Sequence, residues 1–200
     1  VLARLAGRLS APISIDTRRS EVARAAIDLG ASIINDVTGL SGDPAMAGLA
    51  AERRAAVVVM HMLGTPETMQ IDPQYGDVTA EVLAWLETRA ADLVAAGIAR
   101  EAIIVDPGIG FGKRLDHNLA LLAEIGDFHG LGFPVMVGFS RKAFIGALTG
   151  RESDGRLAGG FAALGRCCAA GVGIVRVHDV REAADYIKVW RAIERPERIA

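Results

Sequence analysis

Six short apolar runs, each closing on a polar or charged group, constrain this chain more than any other feature. Ile13-Ser14-Ile15 runs into Asp16-Thr17, and Ile33-Ile34 into Asn35-Asp36. Val57-Val58-Val59 runs into Met60-His61-Met62, and Ile103-Ile104-Val105 into Asp106-Pro107-Gly108. Val135-Met136-Val137 runs into Gly138-Phe139-Ser140-Arg141-Lys142, and Ile174-Val175 into Arg176-Val177-His178-Asp179. The runs are β-branched and continuous rather than alternating in polarity, as strands buried on both faces read. Strands are therefore predicted at 12–16, 32–36, 56–60, 102–106, 134–138 and 173–177.

Helical stretches lie between them. Ser20 can cap a helix ending at Gly30, and Asp43-Pro44 reads as an N-cap with proline at the first helical position. Asp77 can open a long helix ending near Gly97, with Val78, Val82, Leu86, Ala90 and Leu93 at helical spacing. Further helices are predicted at 116–125, 141–148, 154–170 and 180–192. The apolar residues Val1, Leu2, Leu5 and Leu9 look like the tail of one more.

Six βα units with no linker predict a single α/β domain over residues 1–200 with a parallel sheet. An eight-fold barrel and an open doubly wound sheet both fit. The dinucleotide fingerprint is missing from the first βα turn, and the glycine-rich run Gly108–Lys113 has neither its spacing nor that of a P-loop. That favours the barrel. A full barrel takes about 250 residues and one βα unit about 30. The expectation is a (β/α)8 TIM barrel reduced to about six units, strands three to eight.

In a parallel barrel the strand ends converge on one face, where barrel active sites lie. One Asp at a strand end reads as a helix cap; six polar ends in series do not. Asp16, Asn35 and Asp106 suit a flat ligand rich in N–H donors. Lys142, Arg176 and His178 suit an oxyanion such as a phosphate.

Net charge limits the partners. The 200 residues carry a formal charge of −2, which gives no bulk pull on nucleic acid or on an anionic membrane. No apolar stretch approaches the roughly 18 residues of a membrane span. Cys167 and Cys168 are adjacent, without metal spacing, and read as small buried apolar residues. A cytoplasmic location is expected.

The ordered motifs then point to a family. Residues 13–17 (ISIDT), 35–37 (NDV), 60–70 (MHMLGTPETMQ), 106–113 (DPGIGFGK), 138–142 (GFSRK) and 176–180 (RVHDV) resemble the strand-end motifs of dihydropteroate synthase, a pterin-binding barrel family. The resemblance spans nearly the whole chain. It implies a transferase of folate biosynthesis that joins 6-hydroxymethyl-7,8-dihydropterin diphosphate to 4-aminobenzoate and releases diphosphate.

By the same resemblance, Asp106 takes the pterin 2-amino and ring N–H groups in a paired contact, an acceptor-only carboxylate meeting adjacent donors. Asn35 suits pterin ring nitrogens, and Asp16 the reduced-ring side. Met60 and Phe111 are expected as apolar walls. Gly138 and Ser140 belong to the same motif as Lys142, with Ser140 near the 4-aminobenzoate carboxylate. Lys142 reaches the pterin carbonyl side, and Arg176 and His178 donate to diphosphate oxygens; these three are the catalytic candidates. Asp36, His61 and Arg141 read as structural, the loop 64–70 as close to the pocket mouth, and Asp179 as a cap for the last helix.

Magnesium is expected with a diphosphate substrate, but no oxygen cage is apparent and no metal-ligating residue is assigned. A homodimer is implied by analogy. Family motifs like NVTPDSFSDGG and GGESTRPG, which precede the matched ones, have no counterpart here. The expectation is thus a fragment of a longer enzyme, with pterin recognition in place and poor or no turnover alone. Two rival readings remain. A methyltetrahydrofolate-type methyltransferase domain shares the pterin set but has no use for the cationic trio. A non-catalytic pterin-binding module is the other.

Overall fold

The computed structural model describes residues 1–5 and 8–196. Among these residues six strands form: β1 (Ser14–Asp16), β2 (Ile33–Asp36), β3 (Ala56–Met60), β4 (Ile103–Asp106), β5 (Met136–Gly138) and β6 (Ile174–Arg176). β1 to β4 make one sheet in chain order, and β5 pairs with β6 in a second. All the pairings are parallel. A parallel bridge between Val105 and Val135 joins the two sheets, with the Val105 N–H donating to the Pro134 carbonyl at 2.9 Å. Strand order follows chain order throughout, without the reversal that a doubly wound sheet requires.

Helices α2 (Ser20–Asp28), α3 (Met46–Arg53), α4 (Val78–Ala95), α5 (Leu115–Ala123), α6 (Ala143–Thr149), α7 (Leu157–Ala169) and α8 (Val180–Glu194) fill the connections. A short α1 covers Leu2–Leu5. The expected helix tail in the first ten residues otherwise includes Ala6 and Gly7, which lie outside the described residues.

Side-chain chemistry explains the starts of α4 and α2. Asp77 caps α4, accepting the Ala80 N–H at 3.0 Å. Asp43 does not cap α3 at its expected place, because that helix starts at Met46. Its two carboxylate oxygens instead accept the Ala45 N–H at 2.9 Å and the Ser20 N–H at 2.7 Å. Ser20 is therefore the first residue of α2, not its cap. The start of α2 is satisfied by a carboxylate from the next connection, which the adjacency of α2 and α3 makes possible.

The sheet has two inequivalent faces. Ile34, Val57, Val59, Ile103, Val105, Val135 and Val137 join one apolar core with Val82, Leu86, Ala90 and Leu93 of α4. Residues of opposite parity point the other way. The outer strands depart from the expectation of burial on both faces. β1 and β6 alternate exposed, half-buried, exposed, whereas β3 and β5 are almost wholly buried. Each outer strand has a neighbour on one side only among the described residues, so water reaches its free edge.

Candidate functional site

Register fixes which strand ends share a face. Asp16 lies beside Asn35, and Asn35 beside Val58. Met60, two residues on from Val58, lies beside Asp106. Gly138 lies beside Arg176. In a parallel ladder, paired residues point the same way, and parity carries the direction along each strand. Asp16, Asn35, Met60, Asp106, Gly138 and Arg176 thus occupy one face, opposite the helical core.

Asp106 is the most buried charge of that face, 4% exposed. Its Oδ1 accepts the Gly108 N–H at 2.7 Å. Burial raises its carboxyl above the usual range, opposed first by the Lys142 charge, then by the Gly108 N–H and by Lys113 and Arg176. Positive φ at Gly108 (+70°) lets the following loop fold onto the β3 exit; a Cβ there would sit 1.9 Å from the His61 carbonyl oxygen. The loop returns to α5, where Asn118 accepts the Gly110 N–H at 2.6 Å and donates to the Arg114 carbonyl at 2.7 Å.

Lys142 stands at the N-cap position of α6. Its ammonium donates to the Ile109 carbonyl and lies 4.6 Å from the Phe111 ring centroid. Burial pushes it down to about 8, against the favourable charge of Asp106. A Cβ added at Gly138 would be 3.8 Å from both the Lys142 ammonium and the Arg176 Cβ. That glycine keeps the floor between the two cations open.

The remaining groups sit toward the open edge. Asn35 donates to Asp16 Oδ2 at 3.2 Å, and Arg176 donates to the same oxygen at 2.9 Å. Arg176 is thus held across the mouth, from the end of β6 to the end of β1. His178 is held by Ser140, whose Oγ lies 3.0 Å from His178 Nδ1 and 3.2 Å from its backbone nitrogen.

Neighbouring residues take other roles. Asp36 follows Asn35 and turns to the core side. It is fully buried, with Oδ1 accepting the Thr38 N–H and hydroxyl, both at 2.8 Å. Burial raises its carboxyl. Asp179 holds the N-cap position of α8 without a side-chain cap bond; its carboxylate pairs with the Arg141 guanidinium instead. Gln70 of the loop after β3 donates to the Gly110 carbonyl at 2.9 Å, tying that loop to the site. Cys167 is buried, its thiol pushed up to about 12 by desolvation, but Cys168 is only half-buried.

Among the described residues, no three His, Cys, Asp or Glu side chains cluster to hold an ion. Asp16 is engaged by Asn35 and Arg176.

One group at the site escaped the sequence reading. Lys113 is buried, 3% exposed, and contacts His61 and the Phe111 carbonyl. Its only local signal is its place at the end of the glycine-rich run.

The profile of the pterin binding enzyme family matches residues 1–178. Dihydropteroate synthase of Neisseria meningitidis serogroup B is 46% identical over 198 residues, covering 96% of this chain and 69% of that protein. The solved dihydropteroate synthase of Stenotrophomonas maltophilia is 44% identical with a TM-score of 0.93, covering 96% of this chain and 73% of that one. The Xanthomonas albilineans dihydropteroate synthase solved in complex with 7,8-dihydropteroate is 41% identical with a TM-score of 0.90, covering 96% and 71%.

Proposed function

The chain belongs to the pterin-binding enzyme family, among the dihydropteroate synthases, and we propose that its strand-end face binds a pterin diphosphate and presents it to 4-aminobenzoate. The arylamine nitrogen attacks the pterin methylene carbon. The bond from that carbon to the diphosphate oxygen breaks, and diphosphate leaves with the electron pair. The proton lost by the amine passes to solvent.

The observation that carries this reading is the shared face of Asp106, Asn35 and Arg176, with the ammonium of half-buried Lys142 against it. A buried carboxylate needs donors, and the pterin 2-amino and ring N–H groups supply two side by side. Asn35 can complement the ring nitrogens, while Met60 and Phe111 flank the ring plane. Lys142 reaches the carbonyl side. Arg176 and His178 meet the negative charge that grows on the departing diphosphate, which is where electrostatic stabilisation accelerates the step. Ser140 orients His178. Lys142 and Arg176, with the His178 ring beside them, favour a synthase over a methyltransferase, from which no diphosphate departs.

Strand order without reversal supports a barrel wall, and the reach of Arg176 to Asp16 supports its curvature. We propose that the sheet is the wall of a (β/α)8 barrel and that the free edges of β1 and β6 are where it closes. Exposed Val189 and Ile193 on α8 support a homodimer, which sedimentation would test. No described helix is long and apolar enough to cross a membrane; a cytoplasmic setting is proposed with it. Magnesium would enter on the diphosphate oxygens rather than on carboxylates of this chain.

The test is calorimetric titration of the chain with 6-hydroxymethylpterin, then with its diphosphate. Saturable 1:1 binding of both, tighter for the diphosphate, is expected. No binding of either would sink the reading.

A further inference from the structure

A second ammonium is buried beside Asp106, and the pterin contacts above make no use of it. Lys113 Nζ lies 3.0 Å from His61 Nδ1, 3.0 Å from the Phe111 carbonyl oxygen and 3.4 Å from the His61 carbonyl oxygen. An ammonium carries three donors and no acceptor. Here it meets three acceptor positions, which assigns the His61 ring proton to Nε2. That ring packs edge-on against Trp85, with centroids 5.2 Å apart.

The atoms that Lys113 holds belong to the pterin groups' own backbone. His61 follows Met60, and its N–H donates to the Asp106 carbonyl at 3.1 Å. Phe111 carries the ring against the Lys142 ammonium. The loop can wrap the ammonium only because its glycines adopt positive φ. At Gly112 (φ +62°) a Cβ would lie 2.6 Å from the Leu63 carbonyl oxygen.

We propose that Lys113 is a positioning residue for pterin recognition. Its buried ammonium clamps the exit of β3 to the loop after β4 and adds, beside Lys142, a counter-charge that favours the ionised form of Asp106 toward the pterin donors. The inference rests on the pterin reading above. The charged and titratable groups facing Lys113 are Asp106 at the end of β4, Lys142 at the start of α6, His61 after β3 and His117 on α5. Asp106 favours the ammonium by its charge and Lys142 opposes it. Burial brings Lys113 down to about 7, so the clamp weakens as pH rises through neutrality.

The experiment is calorimetric titration with 6-hydroxymethylpterin, which has no phosphate to titrate, from pH 6 to 9. It compares the unaltered chain with Lys113→Met. At pH 6 the variant is expected to bind roughly tenfold more weakly, the loss of one charge-assisted contact network. The unaltered chain should lose affinity in a step near pH 7 that the variant lacks, while a later step from Lys142 persists in both. Parallel pH profiles overturn the proposal and leave the pterin reading intact. Absence of binding by the unaltered chain overturns both. If Lys113→Met fails to fold, nitrogen-15 NMR of the unaltered chain decides. An unprotonated His61 Nδ1 whose shift moves with a midpoint near pH 7 supports the clamp; a protonated Nδ1 at pH 6 overturns it.

Discussion

The floor of the site and its rim carry charges of the same kinds under opposite conditions. On the floor, Asp106 and Lys113 are almost fully buried, and the Lys142 ammonium is withdrawn beside them. On the rim, the Arg176 and Asp16 side chains are each more than half exposed, at 55% and 52%. The difference follows from strand position. β3 and β4 are flanked on both sides, so their end groups are closed off from water; β1 and β6 each have one neighbouring strand among the described residues. Buried charges have few geometries in which their donors and acceptors are satisfied. Solvated ones reorient at little expense. The floor therefore suits a fixed, directional ligand, the pterin ring, and the rim suits a charge that must later leave, the diphosphate.

The largest effect that would break this contrast is on the floor. In the proposed pterin complex, Asp106→Ala would remove the acceptor of two pterin donors and leave both unpaired on binding. Each such loss costs about 1–3 kcal/mol, so pterin affinity should fall by on the order of a hundredfold or more. Calorimetry with 6-hydroxymethylpterin measures it; a loss under fivefold would show that the floor does not read the ring. Core packing beneath the floor should matter on a similar scale. Leu86→Ala on α4 empties a fully buried position and should destabilise the fold by about 2–5 kcal/mol in urea titration.

The floor also predicts how stability depends on pH. Lys113 and Lys142 have folded-state values of about 7 and about 8, below the ordinary lysine value of 10.5. From pH 7 to about 9, these two lysines hold more protons in the unfolded chain than in the folded one, so their contribution to stability rises with pH. Below pH 7 the full burden of a buried and a half-buried ammonium is present. The urea midpoint of the ligand-free chain should therefore climb between pH 7 and 9, and Lys113→Met should remove the part that begins at pH 7. A flat or falling midpoint in the unaltered chain would contradict the burial of these charges. Stability and pterin affinity then move in opposite directions with pH, as expected where a site holds groups that the fold alone would not favour.

How far the floor and rim were legible beforehand depends on how local the signal is. An apolar β-branched run closing on Asp106 or Asn35 is a local pattern, and parity then sends Asp36 and His61 away from the ligand face. Lys113 was missed because its partner, His61, is 52 positions away in the chain. Nothing near Lys113 marks it as buried. Asp43 was misread for the same reason: its second acceptor role is to Ser20, 23 positions earlier. Exposure of β1 and β6 was equally hidden, since an apolar run reads the same whether one neighbour flanks it or two. Asp179 looked like a cap, but the Arg141 guanidinium competes for its carboxylate, and a charged, two-point partner outbids a single backbone N–H.

Next in size comes the rim. Arg176→Ala should leave the urea midpoint nearly unchanged, within about 1 kcal/mol, because an exposed ion pair contributes little. Affinity for the pterin diphosphate should fall roughly tenfold at low salt, the loss of one charge-assisted contact. Affinity for 6-hydroxymethylpterin, which has no diphosphate, should hold. Equal losses for the two ligands would merge rim and floor into one site and erase the distinction.

The smallest effect is the coupling between Arg176 and Asp16. They meet at 2.9 Å, a distance at which a buried pair would be strongly coupled. Both side chains are wet, so water and salt screen them. A double-mutant cycle with Arg176→Ala and Asp16→Ala, read by urea unfolding, should give a coupling of about 0.2–1 kcal/mol. It should shrink as ionic strength rises from 0.05 to 1 M, where the screening length drops to about 3 Å. A weak, salt-sensitive pair can be opened by a competing anion, so diphosphate should displace Asp16 from the guanidinium at little cost in folding free energy. A coupling above roughly 2 kcal/mol that ignores salt would mean that the pair behaves as a buried bridge. Arg176 would then be committed to holding β6 against β1 and unavailable to the leaving group.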